Sequence, residues 1–273
     1  NDLLTRLKDS MATQKRFLAD AAHQLKTPLA GLRMQADLAQ REGTSTEELK
    51  RSLQQIGRSS IRATHTVNQL LALARAEGSG AQMAIFPCDL ARLTMEVIQD
   101  SLHRALEKRI DLGYDGAEPG SPGIALDGNP TLLKALIRNL VDNAINYTPS
   151  TDEQPGVITA RVLADIASGS VILQVEDSGP GIGPSERDLV FQPFYRTLGT
   201  DADGTGLGLA IVQEIARRHG ADVKLDDTHP GRTPPGARFT VLFEARRGPG
   251  VVQPVQDTAS RSSPPAPSLG PLL

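Results

Sequence analysis

Leu136-Ile137-Arg138-Asn139-Leu140-Val141-Asp142-Asn143-Ala144-Ile145-Asn146-Tyr147-Thr148-Pro149 governs how the rest of this 273-residue chain is read. Asn139 and Asn143 are four residues apart, so in a helix they share one face. Two carboxamide oxygens on one face can reach a hard cation that keeps most of its waters and bridges phosphates, as Mg2+ does. The stretch is predicted to close a helix over Pro130–Tyr147. Around it the pattern is mixed. A short strand near Met83–Phe86 precedes a helix from about Asp89 to Lys108, and short strands follow near Ile110–Tyr114 and Ile124–Leu126. Val157–Leu163 and Val171–Glu176 read as a strand pair. A Gly-rich loop leads into a helix at Leu207–His219, and closing strands lie near Val223–Leu225 and Phe239–Phe243. Strands interleaved with helices on one sheet make an α/β sandwich, here assigned to residues 83–246.

Gly-Ser-Gly at 78–80 breaks the pattern and marks a linker over 78–82. Before it, residues 1–77 are helical, with 1–12 read as the end of an upstream helix. Leu4, Met11, Leu18, Leu25, Leu32 and Ala39 recur every seven residues. Their companion row is polar at Lys8 and Lys15, then apolar at Ala22, Leu29 and Ala36. Gly43 suits the left-handed position that ends a helix. Thr44 with Glu47 has the spacing of a capping box for the next one, which carries Leu49, Leu53, Ile56, Ser60, Ala63, Val67, Leu70 and Ala74. Two long amphipathic helices joined by so short a turn fold back antiparallel. One hairpin cannot bury both stripes, so a dimeric four-helix bundle is expected, giving an α+β protein overall. After Arg247 the chain is rich in Pro, Ser and Gly, and 247–273 is expected to be disordered.

Composition narrows the function. A net charge of −3 gives no bulk attraction to nucleic acid or to an anionic membrane surface. The single cysteine, Cys88, excludes an internal disulfide and reads as a small filler near a strand end. No apolar run approaches the ~20 residues of a membrane helix. The opening residues are helix-like and lack an initiator Met, which is expected of a fragment whose upstream part is missing.

His23 lies two positions before the stripe residue Leu25. At about 100° per residue it points away from the stripe, into solvent. Pro28 sits inside the stripe and lacks the N–H that would bond the Gln24 carbonyl, so the helix is expected to loosen just after His23. His65, His103, His219 and His229 read as ordinary surface histidines. The run Phe17-Leu18-Ala19-Asp20-Ala21-Ala22-His23-Gln24-Leu25-Lys26-Thr27-Pro28-Leu29 resembles the H-box of bacterial sensor histidine kinases, most closely the tricarboxylate-sensor and quorum-sensor types. The resemblance implies that His23 accepts a phosphoryl group. It also implies that Thr27 positions the water that dephosphorylates a response regulator. Many members of that family carry an acid after the histidine. Here Gln24 can fix the tautomer but cannot hold a proton, which leaves Asp20, one turn back, or water as the acceptor.

The Asn139–Asn143 stretch resembles the N-box of the same kinases and of the fold they share with gyrase, Hsp90 and MutL ATPases. Those ATPases carry a water-activating Glu where this chain has Asn139, and Asn cannot be that base. Asn146 stands where many kinases have Lys or Arg, just before Tyr147, so a phosphate contact there must be absent or supplied elsewhere. Asp177-Ser178-Gly179-Pro180-Gly181-Ile182-Gly183 matches the G1 box, which makes Asp177 the adenine reader and lets Gly179 and Gly181 approach the nucleotide. Phe191-Gln192-Pro193-Phe194-Tyr195-Arg196 looks like the F-box of a mobile lid, with Arg196 a phosphate contact. Gly204-Thr205-Gly206-Leu207-Gly208 resembles the G2 box, presenting helix N–H groups to phosphate.

Five ordered motifs between Phe17 and Val212 imply ATP and Mg2+ as cofactors, the latter on Asn139 and Asn143. They also imply a homodimer, a cognate response regulator as partner, and a membrane-anchored sensor region upstream. The chain would then be the cytoplasmic portion of an inner-membrane protein. Two rivals are a related ATP-hydrolysing conformational machine, and a degenerate kinase acting as a dimeric scaffold. Asn139 and the histidine hairpin count against the first, and the intact N, G1 and G2 boxes against the second.

Overall fold

The computed structural model describes residues 19, 21, 22, 25–41, 45–77, 84–165, 167–197 and 205–246, with the backbone alone at 62, 65 and 68–77. Residues 1–18, the Gly43 and Thr44 turn signals, the linker 78–82 and the tail 247–273 lie outside the described residues.

Helix α1 is described over residues 25–39 and helix α2 spans Thr46–Glu77. The capping box that starts α2 is one residue later than the expected Thr44–Glu47 pair. Glu48 Oε2 accepts from the Ser45 N–H at 2.9 Å, and the Glu48 N–H donates to Ser45 Oγ at 3.3 Å. Thr44-Ser45-Thr46-Glu47-Glu48 contains two overlapping patterns of the same spacing, and pattern alone does not choose between them. The two helices approach closely at Gly31, where an added Cβ would stand 3.8 Å from Ser59 Oγ.

Beyond the hairpin come β1 (Phe86–Asp89), α3 (Leu90–Glu107), β2 (Ile110–Tyr114), β3 (Ala125–Gly128), α4 (Pro130–Tyr147), β4 (Gly156–Asp165), β5 (Ser170–Asp177), α5 (Gly208–Arg218), β6 (Asp222–Asp227) and β7 (Ala237–Glu244). The strands do not form the single sheet expected. Five of them run in the order β2-β4-β5-β7-β6, parallel only at β2–β4, while β1 and β3 pair antiparallel as a separate two-stranded ribbon. The first strand also starts later than expected, because Asp89 is the N-cap of α3 and the ribbon register buries Cys88 opposite Leu126.

Helices α3, α4 and α5 cover one face of the large sheet. Leu136, Ile137, Leu140, Val141 and Ile145 of α4 are fully buried, as are Ile158, Ala160 and Val162 on β4 and Val171 and Leu173 on β5. Alternation along the strands turns the intervening residues outward. There Glu176, itself buried, pairs with Arg238 and, at 3.0 Å, with Arg161. Truncating a core residue such as Leu136 to Ala costs about 2–5 kcal/mol.

Asn129 caps α4 by accepting from the Thr131 and Leu132 N–H groups, with Pro130 in the first turn. Its own N–H donates to His219 Nε2 at 3.0 Å, while His219 Nδ1 donates to Ile215 O at 2.8 Å. His219 is therefore not the surface histidine expected. It is a half-buried neutral clamp that ties the end of α5 to the start of α4. Burial pushes its pKa down, the backbone bond to Ile215 opposes this, and nearby Arg218 adds to the depression. A depressed histidine contributes stability above the unfolded value of 6.5 that is lost as pH falls through the folded value. Urea midpoints measured from pH 7.5 down to 5.0 are expected to fall more steeply for the parent than for His219→Asn, which can keep a neutral partner for Asn129. Parallel curves would remove His219 from the pH dependence.

Candidate active site

One face of α4 is spent on the core, so its other face is free to line a cavity of about 670 Å3. Asn139, Asp142, Asn143, Asn146 and Tyr147 all border it. The Asn139 amide nitrogen donates to Ala135 O at 2.7 Å, one turn back on the helix. That bond orients the amide within the wall.

The opposite wall comes from the end of β5 and the loop after it. Asp177 is 6% exposed and borders the cavity. Both of its hydrogen bonds end on Oδ1, from the Gly179 N–H at 2.8 Å and the Ala237 N–H at 3.2 Å. Burial pushes its carboxyl pKa up, and the two backbone donors hold it down. With Oδ1 committed, Oδ2 is the acceptor left for a donor in the cavity, such as an exocyclic amino group. Gly179 does not border the cavity. Its role is close packing, because a Cβ there would meet Asp177 Oδ1 and Tyr147 O at 2.9 Å. Gly181 does border it.

The third wall is the start of α5 with the segment before it. Thr205, Gly206 and Gly208 border the cavity, as does Arg196. Leu207, expected beside the nucleotide, is instead fully buried in the core, and its N–H donates to Thr205 Oγ1 at 3.3 Å. Gly206 has φ +71°, and a Cβ there would stand 2.7 Å from the Phe194 carbonyl carbon. The Phe194 N–H donates to Gly206 O at 2.8 Å, and Phe194 itself has φ 65°. Phe191 anchors the same segment, meeting Phe239 edge to face at 6.5 Å. Gly204 lies outside the described residues.

A fourth wall belongs to the hairpin. Thr27, Pro28 and Gly31 of α1 and Gln55 and Ser59 of α2 border the same cavity, and α2 packs against α5. Thr27 thus faces the N-box side chains across one space. His23, Gln24 and Asp20 lie outside the described residues. Sequence reasoning missed Arg104 of α3, Asp142, Gln55 and Ser59 as cavity residues. Asp142 was within the quoted motif, but the helical spacing alone did not distinguish it from a surface acid.

Two family models match in succession: the His Kinase A (phospho-acceptor) domain over residues 13–79, and the histidine kinase-, DNA gyrase B- and HSP90-like ATPase over residues 128–247. The chain belongs to the bacterial sensor histidine kinases. It is 35% identical to the sensor protein QseC of Escherichia coli O157:H7 over 231 residues, covering 85% of this chain and 49% of that protein. It is 35% identical over 256 residues to the signal transduction histidine-protein kinase/phosphatase MprB of Mycolicibacterium smegmatis, covering 91% of this chain and 49% of that one. The chain thus spans about half the length of these relatives. Among solved structures, full-length ShkA in complex with AMPPNP matches with a TM-score of 0.60 and 26% identity, over 85% of this chain and 46% of that one.

The kinase fold carries an ATP-binding domain, and the arrangement at Asp177 gives a direct test of base recognition. In Asp177→Asn the amide oxygen takes the place of Oδ1 on the two backbone N–H groups, which turns the amide N–H2 toward the cavity. A donor would then meet an exocyclic amino group placed there, as on adenine. Preference for ATP over GTP in competitive titrations is expected to fall by roughly tenfold. Unchanged preference would take Asp177 out of base recognition.

Proposed function

We propose that this chain is the kinase core of a two-component sensor: it transfers the γ-phosphoryl group of ATP to His23 and then to an aspartate of a cognate response regulator. The observation that carries the reading is the shared cavity, in which Thr27 and Pro28 face Asn139, Asn143 and Asp177. Thr27 is four residues from His23 in the sequence, a spacing that on a helix places two residues on one face.

In the proposed reaction a neutral imidazole lone pair of His23 attacks the γ-phosphorus, the bond to the β–γ bridging oxygen breaks, and ADP leaves. Gln24 cannot take the remaining ring proton, so Asp20 or water receives it. Asp177 holds the base, while Arg196 and the start of α5 orient the phosphates. Mg2+ would sit on the oxygens of Asn139 and Asn143. Among the described residues no group of three or more His, Cys, Asp or Glu could hold a metal, so a cation here depends on amide oxygens and on the nucleotide's own phosphates. When bound it would neutralise charge on the phosphates. Catalysis by positioning and electrostatics suits such a set, with no water-activating acid at position 139.

The proposed organisation is a phosphotransfer hairpin over 1–77 and a catalytic domain over 83–246. Leu29, Met34 and Leu53 are each more than half exposed on the hairpin, which supports a second copy packing there as a four-helix bundle. Among the described residues no helix is long and apolar enough to cross a membrane. We place the membrane anchor in a preceding sensor region of the full protein, which would leave this part on the cytoplasmic side of the inner membrane.

His23→Gln is expected to abolish incorporation of label from γ-labelled ATP while ATP binding persists, because acceptor and nucleotide sites lie on different elements. Acid-labile label on that variant would sink the assignment, as would ATP turnover without a phosphohistidine. Thr27→Ala keeps a good helix former and removes only the hydroxyl. It is expected to retain autophosphorylation and to lose acceleration of phospho-regulator decay, measured with unphosphorylated kinase and ADP. Parent-like decay would leave Thr27 as a helix residue before a proline.

A further inference from the structure

Helices α3 and α4 lie side by side and are joined by four rungs, each advancing four residues on both helices. Glu96 pairs with Lys134, Asp100 with Arg138 at 2.6 Å, and Arg104 with Asp142 at 2.8 Å. The Lys108 ammonium closes the series on Ile145 O at 3.0 Å and Asn146 Oδ1 at 3.4 Å. In the first two rungs the acid is on α3. In the last two the cation is on α3, as Arg104, or on its C-cap, as Lys108. Pairing alone needs no such inversion, since any order of signs would tie the seam. The inversion places positive charge on α3 beside the part of α4 that faces the cavity.

Lys108 is spent on the last turn of α4, where a cation meets the negative end of the helix. Arg104 is differently placed, because its side chain borders the cavity. Among the described residues that border it, Arg104 and Arg196 are the cations and Asp142 and Asp177 the anions. The cavity therefore carries no net charge to offset a polyphosphate unless a cation enters with it. Asp142 holds one guanidinium nitrogen, Nη1. The guanidinium has five N–H donors in a fork, so the rest of it can still engage an anion. Position along α4 says which part of a nucleotide this would be. Asp177 and Gly179 sit against Tyr147, at the end of the helix, which marks the base. Asp142 is five residues earlier, about 7.5 Å back along the axis.

We propose that Arg104 is a phosphate-binding residue of the kinase: held by Asp142, its guanidinium contacts the polyphosphate of the bound nucleotide. It would supply from α3 the cation that α4 lacks at Asn146. The inference rests on the nucleotide reading of the cavity given above.

The test is titration of the parent, Arg104→Gln and Arg104→Lys with Mg-ATP and with adenosine, monitored by calorimetry, alongside thermal melts. Arg104→Gln is expected to bind ATP roughly tenfold or more weakly, as for a lost charged hydrogen bond, and adenosine as the parent does. Arg104→Lys keeps a cation for Asp142, and so the seam, but lacks the fork; its ATP affinity should fall between the other two. Adenosine binding that falls in step with ATP would show that Arg104 only ties α3 to α4. Parent-like ATP affinity in either variant would overturn the proposal. If the glutamine variant does not fold, the lysine variant decides alone. Failure of the parent itself to bind ATP would instead overturn the nucleotide reading.

Discussion

The rest of this structure depends on α4 serving two surfaces at once. Leu133, Leu136, Ile137, Leu140, Val141, Ala144 and Ile145 pack the helix onto the sheet, and at ~1.5–3 kcal/mol for each large side chain they fix its rotation about its own axis. That rotation leaves Asn139, Asp142, Asn143 and Asn146 no choice but to face away from the sheet. The polar wall of the cavity follows from the apolar core. A change in the core register would move the N-box as surely as a change within it.

Other elements are placed by reference to this helix. His219 holds the end of α5 to the Asn129 cap of α4, so two of the helices that border the cavity are joined at the end away from Tyr147. The rungs to α3 fix a third helix along the same axis. Asp177 is set by backbone donors at Gly179 and Ala237, which ties the β5 loop to β7. Rigid elements thus carry Asp177 and the N-box groups. Phe191 is held by its contact with Phe239, and Phe194 by its backbone bond to Gly206. Such an arrangement suits a reaction that needs preorganised charge and little covalent chemistry from the protein.

Several parts of the site were readable from the residues. The spacing of Asn139 and Asn143 put them on one face because helical geometry is local. The helix over Pro130–Tyr147 is bounded by the Asn129 cap with Pro130 in the first turn, and by extended backbone at Thr148 before Pro149. Asp177 at a strand end and Gly206 before a helix were marked by glycines, whose backbone freedom is itself a local property. Leu207 stands within the same glycine motif but fills the core with its side chain, and a motif written as a run of letters does not separate the residue whose backbone approaches a ligand from the neighbour that packs the core.

The sequence by itself determined the order and type of the helices and strands, the amphipathic faces of the hairpin, and the chemistry available at each motif, all of which are set by residues within a few turns of one another. Only the tertiary structure decided that the strands divide into a ribbon and a five-stranded sheet, that His219 is a clamp, and that Arg104 and the hairpin's Thr27, Gln55 and Ser59 border the same cavity as the N-box. These depend on side chains brought together from separate elements. Contacts of that kind leave no period in the chain, because they are chosen by packing and charge pairing across the fold.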